Sequence, residues 1–188
     1  MVSQAHRFRP IDSSFTIRTD LFHFDICETE TPHFFCKGDI HHLTLYCPLG
    51  TKYDVGEFQI WFRKVIREVL RREAKAIFPS RLHQWSDRTH LTYKRLTIKC
   101  TSSKWGSYSS LGNLNLSLYL LLFDSRYIDY TMCHELCHSR ELNHGPQFWQ
   151  LLDSIMGNGS RQLQHEMNSQ VKAWYEAGDP RYLLVSNA

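Results

Sequence analysis

The sequence predicts an α+β fold, an N-terminal β-hairpin region followed by a larger part that mixes a small sheet with helices. Three observations carry this. In the first fifty residues, β-branched and aromatic residues alternate roughly with polar ones. From Asp54 the apolar residues shift to helical spacing. Two short stretches, "RLTIKC" and "NLNLSL", then read as strands before helical patterns resume near Asp124. A chain of 188 residues is one domain by default. Within it, residues 1–50 form the β-rich region and residues 51–188 the remainder.

The elements follow in order. "SFTIRTDLFHFDI" and "HHLTLYC" read as strands, with "KGD" at 37–39 as a hairpin turn between them, and "CPLGT" at 47–51 breaks the run. From Asp54 to about Ile77, Phe58, Trp61, Phe62, Val65, Val69 and Leu70 mark one side of a helix that Pro79 should end. Its other faces carry Arg63, Lys64, Arg67, Arg71, Arg72 and Lys75. Such a basic face is first of all a solvated one; no aromatic interleaving or binding motif supports nucleic acid as a partner. "TSSKWGSYSSLGN" reads as a loop or hairpin, and "NLNLSL" at 113–118 as a half-buried strand. If that strand lies at a sheet edge, a peptide can pair with it; otherwise it is an ordinary internal strand. Asp124 or Ser125 can cap the next helix. Gly145-Pro146 marks a break and a restart. "QFWQLLDSIM" ends at Gly157, and a last helix spans roughly Arg161 to Glu176.

Composition sets limits. A hydrophobic share of 42% and a charged share of 22% fit a soluble globular protein with a core of its own. A net charge of +3 is too mild to imply nucleic acid or membrane. The start, "MVSQAHRFRPIDSS", lacks the apolar core of a signal peptide, and "LNLSLYLLLF" is about half a membrane span. The expectation is a cytosolic protein with reduced thiols. Cys27, Cys36, Cys47, Cys100, Cys133 and Cys137 form no C-x-x-C pair, and most read as small buried residues.

The chemistry concentrates in "TMCHELCHSRELNHGPQFW", residues 131–149. His134, Glu135 and His138 spell H-E-x-x-H. Residues four apart on a helix lie on one face, so the two imidazoles can hold one metal ion, while Glu135 is offset towards a metal-bound water. A catalytic zinc takes three protein ligands and leaves a fourth position open. His144 is the candidate third ligand, provided the helix stops near Leu142, with Asn143 as a left-handed end. H-E-x-x-H alone arises by chance now and then; the three-ligand version on an amphipathic helix is far more specific.

Neighbouring groups have weaker readings. Glu141 can orient a ligand imidazole, replace His144, or sit as an ordinary surface carboxylate. Cys133 and Cys137 read as packing. His165-Glu166 has Ser169 where a second histidine should stand, so it reads as a plain helix segment. His41 and His42, neighbours in a strand, point to opposite faces and cannot easily share a metal. In the mechanism this implies, zinc activates water against a peptide carbonyl, and Glu135 is the general base that passes the proton to the leaving amine. Arg140, Tyr127, Tyr130 and Lys104 are candidates for stabilising the oxyanion.

"KWGSYSSLGNLNLSL" followed by "IDYTMCHELCHSRELNHGPQFWQLL" resembles the YgjP-like family of zinc metallopeptidases, related to SprT-like and other gluzincin-type proteases. Trp105-Gly106-Ser107, Gly112-Asn113, His134-Glu135-Leu136, His138, Asn143-His144, Pro146 and Phe148-Trp149 match its pattern in order. Tyr108 stands where the family often has Cys. The similarity is dense over residues 96–156 and thins towards both ends. It implies a zincin-like catalytic part, one zinc per chain on His134, His138 and His144, and Glu135 as base. A metzincin reading ranks lower, because Glu141 occupies its glycine position and no convincing Met-turn follows. The expected function is therefore a zinc-dependent peptidase or related amide hydrolase acting on a peptide or protein. The alternatives are a SprT-like protease recruited to nucleic acid through the basic helix, and a metal-binding interaction module without turnover. Imidazole ligands also suit nickel, copper or iron.

Overall fold

The computed structural model describes residues 8–186 and has the expected α+β architecture, with two small sheets and five α-helices. The opening segment read for a leader lies in part outside the described residues. The first sheet contains β1 (Thr16–Arg18), β2 (His23–Thr29), β3 (Phe35–Gly38) and β4 (His42–Pro48), in the order β1-β2-β4-β3. The turn after "KG" exists but joins β3 to β4. The long first stretch folds into two strands of its own, and its second strand pairs with β4 in parallel. Gly38 (φ +143°) and His41 (φ +84°) make that turn, and a Cβ at Gly38 would lie 2.2 Å from the His42 carbonyl oxygen. Period-two alternation buries Phe24, Ile26, Leu43, Leu45 and Cys47 on one face. His41 and His42 take separate partners, the Leu21 carbonyl (2.7 Å) and the Asp25 carboxylate (3.3 Å).

Helix α1 runs Gly56–Thr89, twelve residues beyond the expected stop at Ile77. Pro79 lies inside it. The proline and Lys75, whose carbonyl loses its partner, both sit on the exposed face, where water can satisfy the loss. Tertiary ties then carry the helix onward. Phe78 and Leu82 are fully buried, while Arg81 (2.5 and 2.8 Å) and the Trp85 indole (2.8 Å) donate to Asp129. Nearer its start, Gln59 bonds both backbone groups of Ile11 at 2.8 Å, binding the N-terminal region to the helix.

The second sheet has the order β5-β7-β6, with β5 (Arg95–Lys99), β6 (Gly106–Tyr108) and β7 (Asn113–Ser117). β7, the "NLNLSL" strand, is therefore internal, and its neighbours β5 and β6 are the edges. A buried 3-10 turn, Leu118–Leu122, leads into α2 (Ser125–Cys137). Asp124 makes no side-chain cap. The carboxylate of Asp20, from the turn between β1 and β2, accepts from the Ser125 backbone N–H at 2.7 Å and from its hydroxyl. Then come α3 (Pro146–Met156), α4 (Ser160–Glu176) and an unforeseen α5 (Pro180–Ser186). One continuous buried cluster runs from Ile11 and Phe24 through Ile66 and Leu116 to Leu184. Cys47, Cys133 and Cys137 lie in it, whereas Cys100 is half-buried and Cys27 and Cys36 are exposed; none is paired. Among the described residues, no helix is long and apolar enough to cross a membrane.

Candidate metal centre

His134 projects from the last turn of α2 and His138 from its C-cap, their ring centroids 5.3 Å apart. His144 arrives from the following loop. Its Nε2 lies 2.8 Å from Nε2 of His134, and its ring centroid lies 4.8 Å from each partner. One ligand atom from each of the three histidines falls within 4.8 Å of the others. The chain turns back earlier than expected. The α-helix ends at Cys137 rather than near Leu142, and the Glu141 N–H closes onto the Cys137 carbonyl at 2.9 Å. Asn143 is not left-handed, since His41 and His90 are the only described non-glycine residues with positive φ.

Further contacts fix the rings. The Glu141 backbone carbonyl sits 2.9 Å from Nδ1 of His138, which places the proton there and leaves Nε2 as an acceptor. Glu141 thus orients a candidate ligand through its main chain, not its carboxylate. Tyr130 Oη lies 3.4 Å from Nδ1 of His134. All three imidazoles pack around one fully buried ring, Phe148, at centroid distances of 4.8, 4.8 and 4.6 Å. The next residue, Trp149, donates its indole N–H to the His144 carbonyl at 3.0 Å, and the Arg161 guanidinium covers it.

The electrostatics favour the neutral form of His134 and His144. Burial, then the charges of His138 and His144, lower the His134 pKa to about 3, and burial with His138 lowers that of His144. Neutral imidazole nitrogens converging from a helix and a loop are the donor set that a borderline divalent cation such as zinc takes. Beside them, Glu135 is 6% exposed. Burial pushes its carboxyl up to about 8, with the Lys104 charge pulling the other way. Gly106 on β6 makes room for it: a Cβ there would fall 2.6 Å from Glu135 Cγ and 2.7 Å from Oε1.

This group lines a cleft of about 500 Å³, walled by β6 on one side and by Gln164, Met167 and Asn168 of α4 on another. Of the four oxyanion candidates, Lys104 and Tyr130 line it. Tyr127 instead donates to Glu166 (3.0 Å), and Arg140 reaches the His90 carbonyl (3.5 Å). Glu166 also accepts from Gln162, so His165-Glu166 is a helix segment outside the cluster. Burial raises both the Cys133 and Cys137 thiols, the latter to about 12, as suits packing rather than ligation. Sequence reasoning missed the roles of Phe148 and Gly106, which stood only as matches to a pattern. It missed the α4 wall altogether, since nothing local marks a helix that meets the site across twenty residues.

A family model described as the YgjP-like metallopeptidase domain matches residues 39–170, well over half of the chain and the whole of this site. No curated protein and no solved structure matches. The matched span holds both the "WGS" edge strand and the helix–loop–helix that gathers the histidines, and on it the chain belongs to the YgjP-like metallopeptidase family.

Proposed function

We propose that this metal-dependent peptidase uses one zinc ion held by His134, His138 and His144, with Glu135 as the general base. One observation carries the reading: three imidazoles converge beside a buried carboxylate on the floor of a cleft. When bound, the ion supplies Lewis acidity for a carbonyl and for water in the cleft. Glu135 takes a proton from that water onto its carboxylate and returns it to the departing amine nitrogen. Burial raises the proton affinity of the carboxyl, which favours its role as a proton acceptor beside the ion. Lys104 and Tyr130 are the donors placed to meet an oxygen that gains charge.

The substrate's seat follows from hydrogen-bond alternation. Trp105 accepts from Ser117 N–H, and Ser109 donates to the Asn113 carbonyl, so odd-numbered residues of this hairpin face β7. Gly106 and Tyr108 therefore turn their N–H and C=O groups to the open edge, where an extended peptide can add as a strand. The basic faces of α1 enter none of these steps, and two of their residues are paired, Arg71 with Glu68 and Arg72 with buried Glu73.

The test is metal content and proteolysis together. Untagged protein should carry about one zinc per chain and cleave a labelled unfolded protein. A chelator should abolish cleavage and zinc should restore it. Changing all three histidines to Ala should remove the metal, while Glu135→Gln should keep the metal and lose turnover. A chain that takes up no zinc, or a Glu135→Gln variant as active as wild type, would sink the reading.

A further inference from the structure

On the outer face of the second sheet, around the β6 edge from the catalytic cleft, lies a smaller cavity of about 190 Å³. It shares Ser103, Lys104, Gly106 and Ser107 with the cleft, and adds Lys99 and Asn115. We infer that this cavity is a side-chain subsite selecting an acidic residue, Asp or Glu, of the peptide substrate. The inference rests on the peptidase reading and on strand addition at β6.

Geometry supplies the first part of the argument. Side chains of an added strand point alternately to the two faces of the sheet. Those on the inner face approach α2, because the missing Cβ of Gly106 points at Glu135 there. Those on the outer face meet the side occupied by Ser107 and Asn115. These two are cross-strand partners, and the Asn115 amide donates to Ser107 Oγ at 3.0 Å. That bond uses the serine as acceptor and leaves its O–H free to donate.

Charge supplies the second part. By strand alternation, the outer face carries Arg95, Thr97 and Lys99 from β5, Asn113, Asn115 and Ser117 from β7, and Ser107 from β6. No acid stands among them. The only acidic residue lining either cavity is Glu135, which is buried. Among the described residues, neither Lys99 nor Lys104 has a carboxylate within ion-pair distance, whereas Arg18, Arg81, Arg126 and Arg181 are each paired with one. Lys104 is still close enough for its charge to act on Glu135. A carboxylate in this subsite gains two cations and a hydroxyl donor and finds no other carboxylate among the residues that line the subsite. A lysine or arginine there meets like charge.

The test measures binding and cleavage in parallel. Metal-loaded Glu135→Gln protein is titrated with fluorescent extended peptides in which a single Glu is scanned through each position, each against its Gln counterpart. Wild-type protein is assayed for cleavage of the same set. At one position Glu should bind about three- to tenfold more tightly than Gln, the range of a partly exposed charge pair, and the gain should shrink with added salt. Lys99→Met should erase that gain and leave the Gln peptides unchanged; Lys99→Glu should invert it. Equal affinity for Glu and Gln at every position overturns the subsite, whether or not peptides are cut. So does a Glu preference that survives Lys99→Met. A Glu preference erased by Lys99→Met, in a wild-type protein that cleaves none of the peptides, supports the anion subsite and rejects the peptidase reading beneath it.

Discussion

Replacing Gly106 by Ala probes the tightest contact in the site. The added methyl would stand 2.6 Å from Glu135 Cγ, 2.7 Å from Oε1 and 2.9 Å from Cδ. Carbon atoms settle at about 3.5–4.0 Å, so the shortfall is on the order of 1 Å. Cγ is not the loose end of a side chain. Moving it turns the whole carboxylate, and Glu135 is enclosed, at 6% exposure. Relief must come from an off-rotamer glutamate or from β6 backing away from α2, at a cost of about 1–3 kcal/mol. A displacement of on the order of 1 Å in a reacting group costs about a hundredfold in turnover. The three atoms nearest this methyl all belong to Glu135 and none to a histidine, so zinc binding should persist. Gly106→Ala should therefore hold about one zinc per chain, unfold at lower urea, and cleave a labelled unfolded protein about a hundredfold more slowly. Wild-type activity and stability in this variant would refute the reasoning, because Glu135 would then have room that the geometry denies it.

Other perturbations test separate links. Phe148→Ala leaves a cavity where three imidazoles converge; it should cost about 3–5 kcal/mol and weaken zinc affinity about 10–100-fold in a chelator competition, with Phe148→Leu milder on both counts. Asp20→Ala removes the cap of α2 supplied from the N-terminal sheet and should cost about 1 kcal/mol, or about 2–4 °C in a thermal melt. Asp179 tests pH dependence. Burial alone would raise its carboxyl, but hydrogen bonds and charge from Arg181, with Arg9 beyond, hold it below the ordinary range. A depressed carboxyl contributes stability above its unfolded pKa, and that stability is lost as pH falls through the folded value. Urea melts should show Asp179→Asn less stable than wild type at neutral pH, with the gap closing in acid.

What could be read from the chain divides along the range of the interactions. His134, Glu135 and His138 were legible because their arrangement is a property of one helix turn. His144 was legible as a member of the cluster but not by its route: the helix stops at Cys137, where the following turn aims the Glu141 carbonyl at His138, a contact that no residue type announces. Pro79 misled for the same reason. Local rules end a helix there, and the ion pair of Arg81 with Asp129, forty-eight residues away, continues it. The strand Phe35–Gly38 is short and exposed along its length, so it carried no alternation to read. The order β5-β7-β6 is a matter of pairing partners, and it moved the open edge from the strand with the clearest pattern to its neighbour.

That move gives the "WGS" segment its meaning. Three demands fall on three consecutive positions. Trp105 packs edge-on against Phe123 in the core, with ring centroids 5.0 Å apart, and anchors the start of the strand. Gly106 must lack a side chain, because the carboxylate of α2 occupies the space where one would be. Ser107 points to the opposite face and must stay small and polar, since it bonds Asn115 and opens onto the outer cavity. A larger residue at 106 would strike Glu135, and a larger residue at 107 would fill the subsite, so the first should lower turnover for every substrate and the second should change which substrate is preferred. The inner face of one edge strand thus sets the position of the Glu135 carboxylate, and its outer face is where selection among peptides would be made.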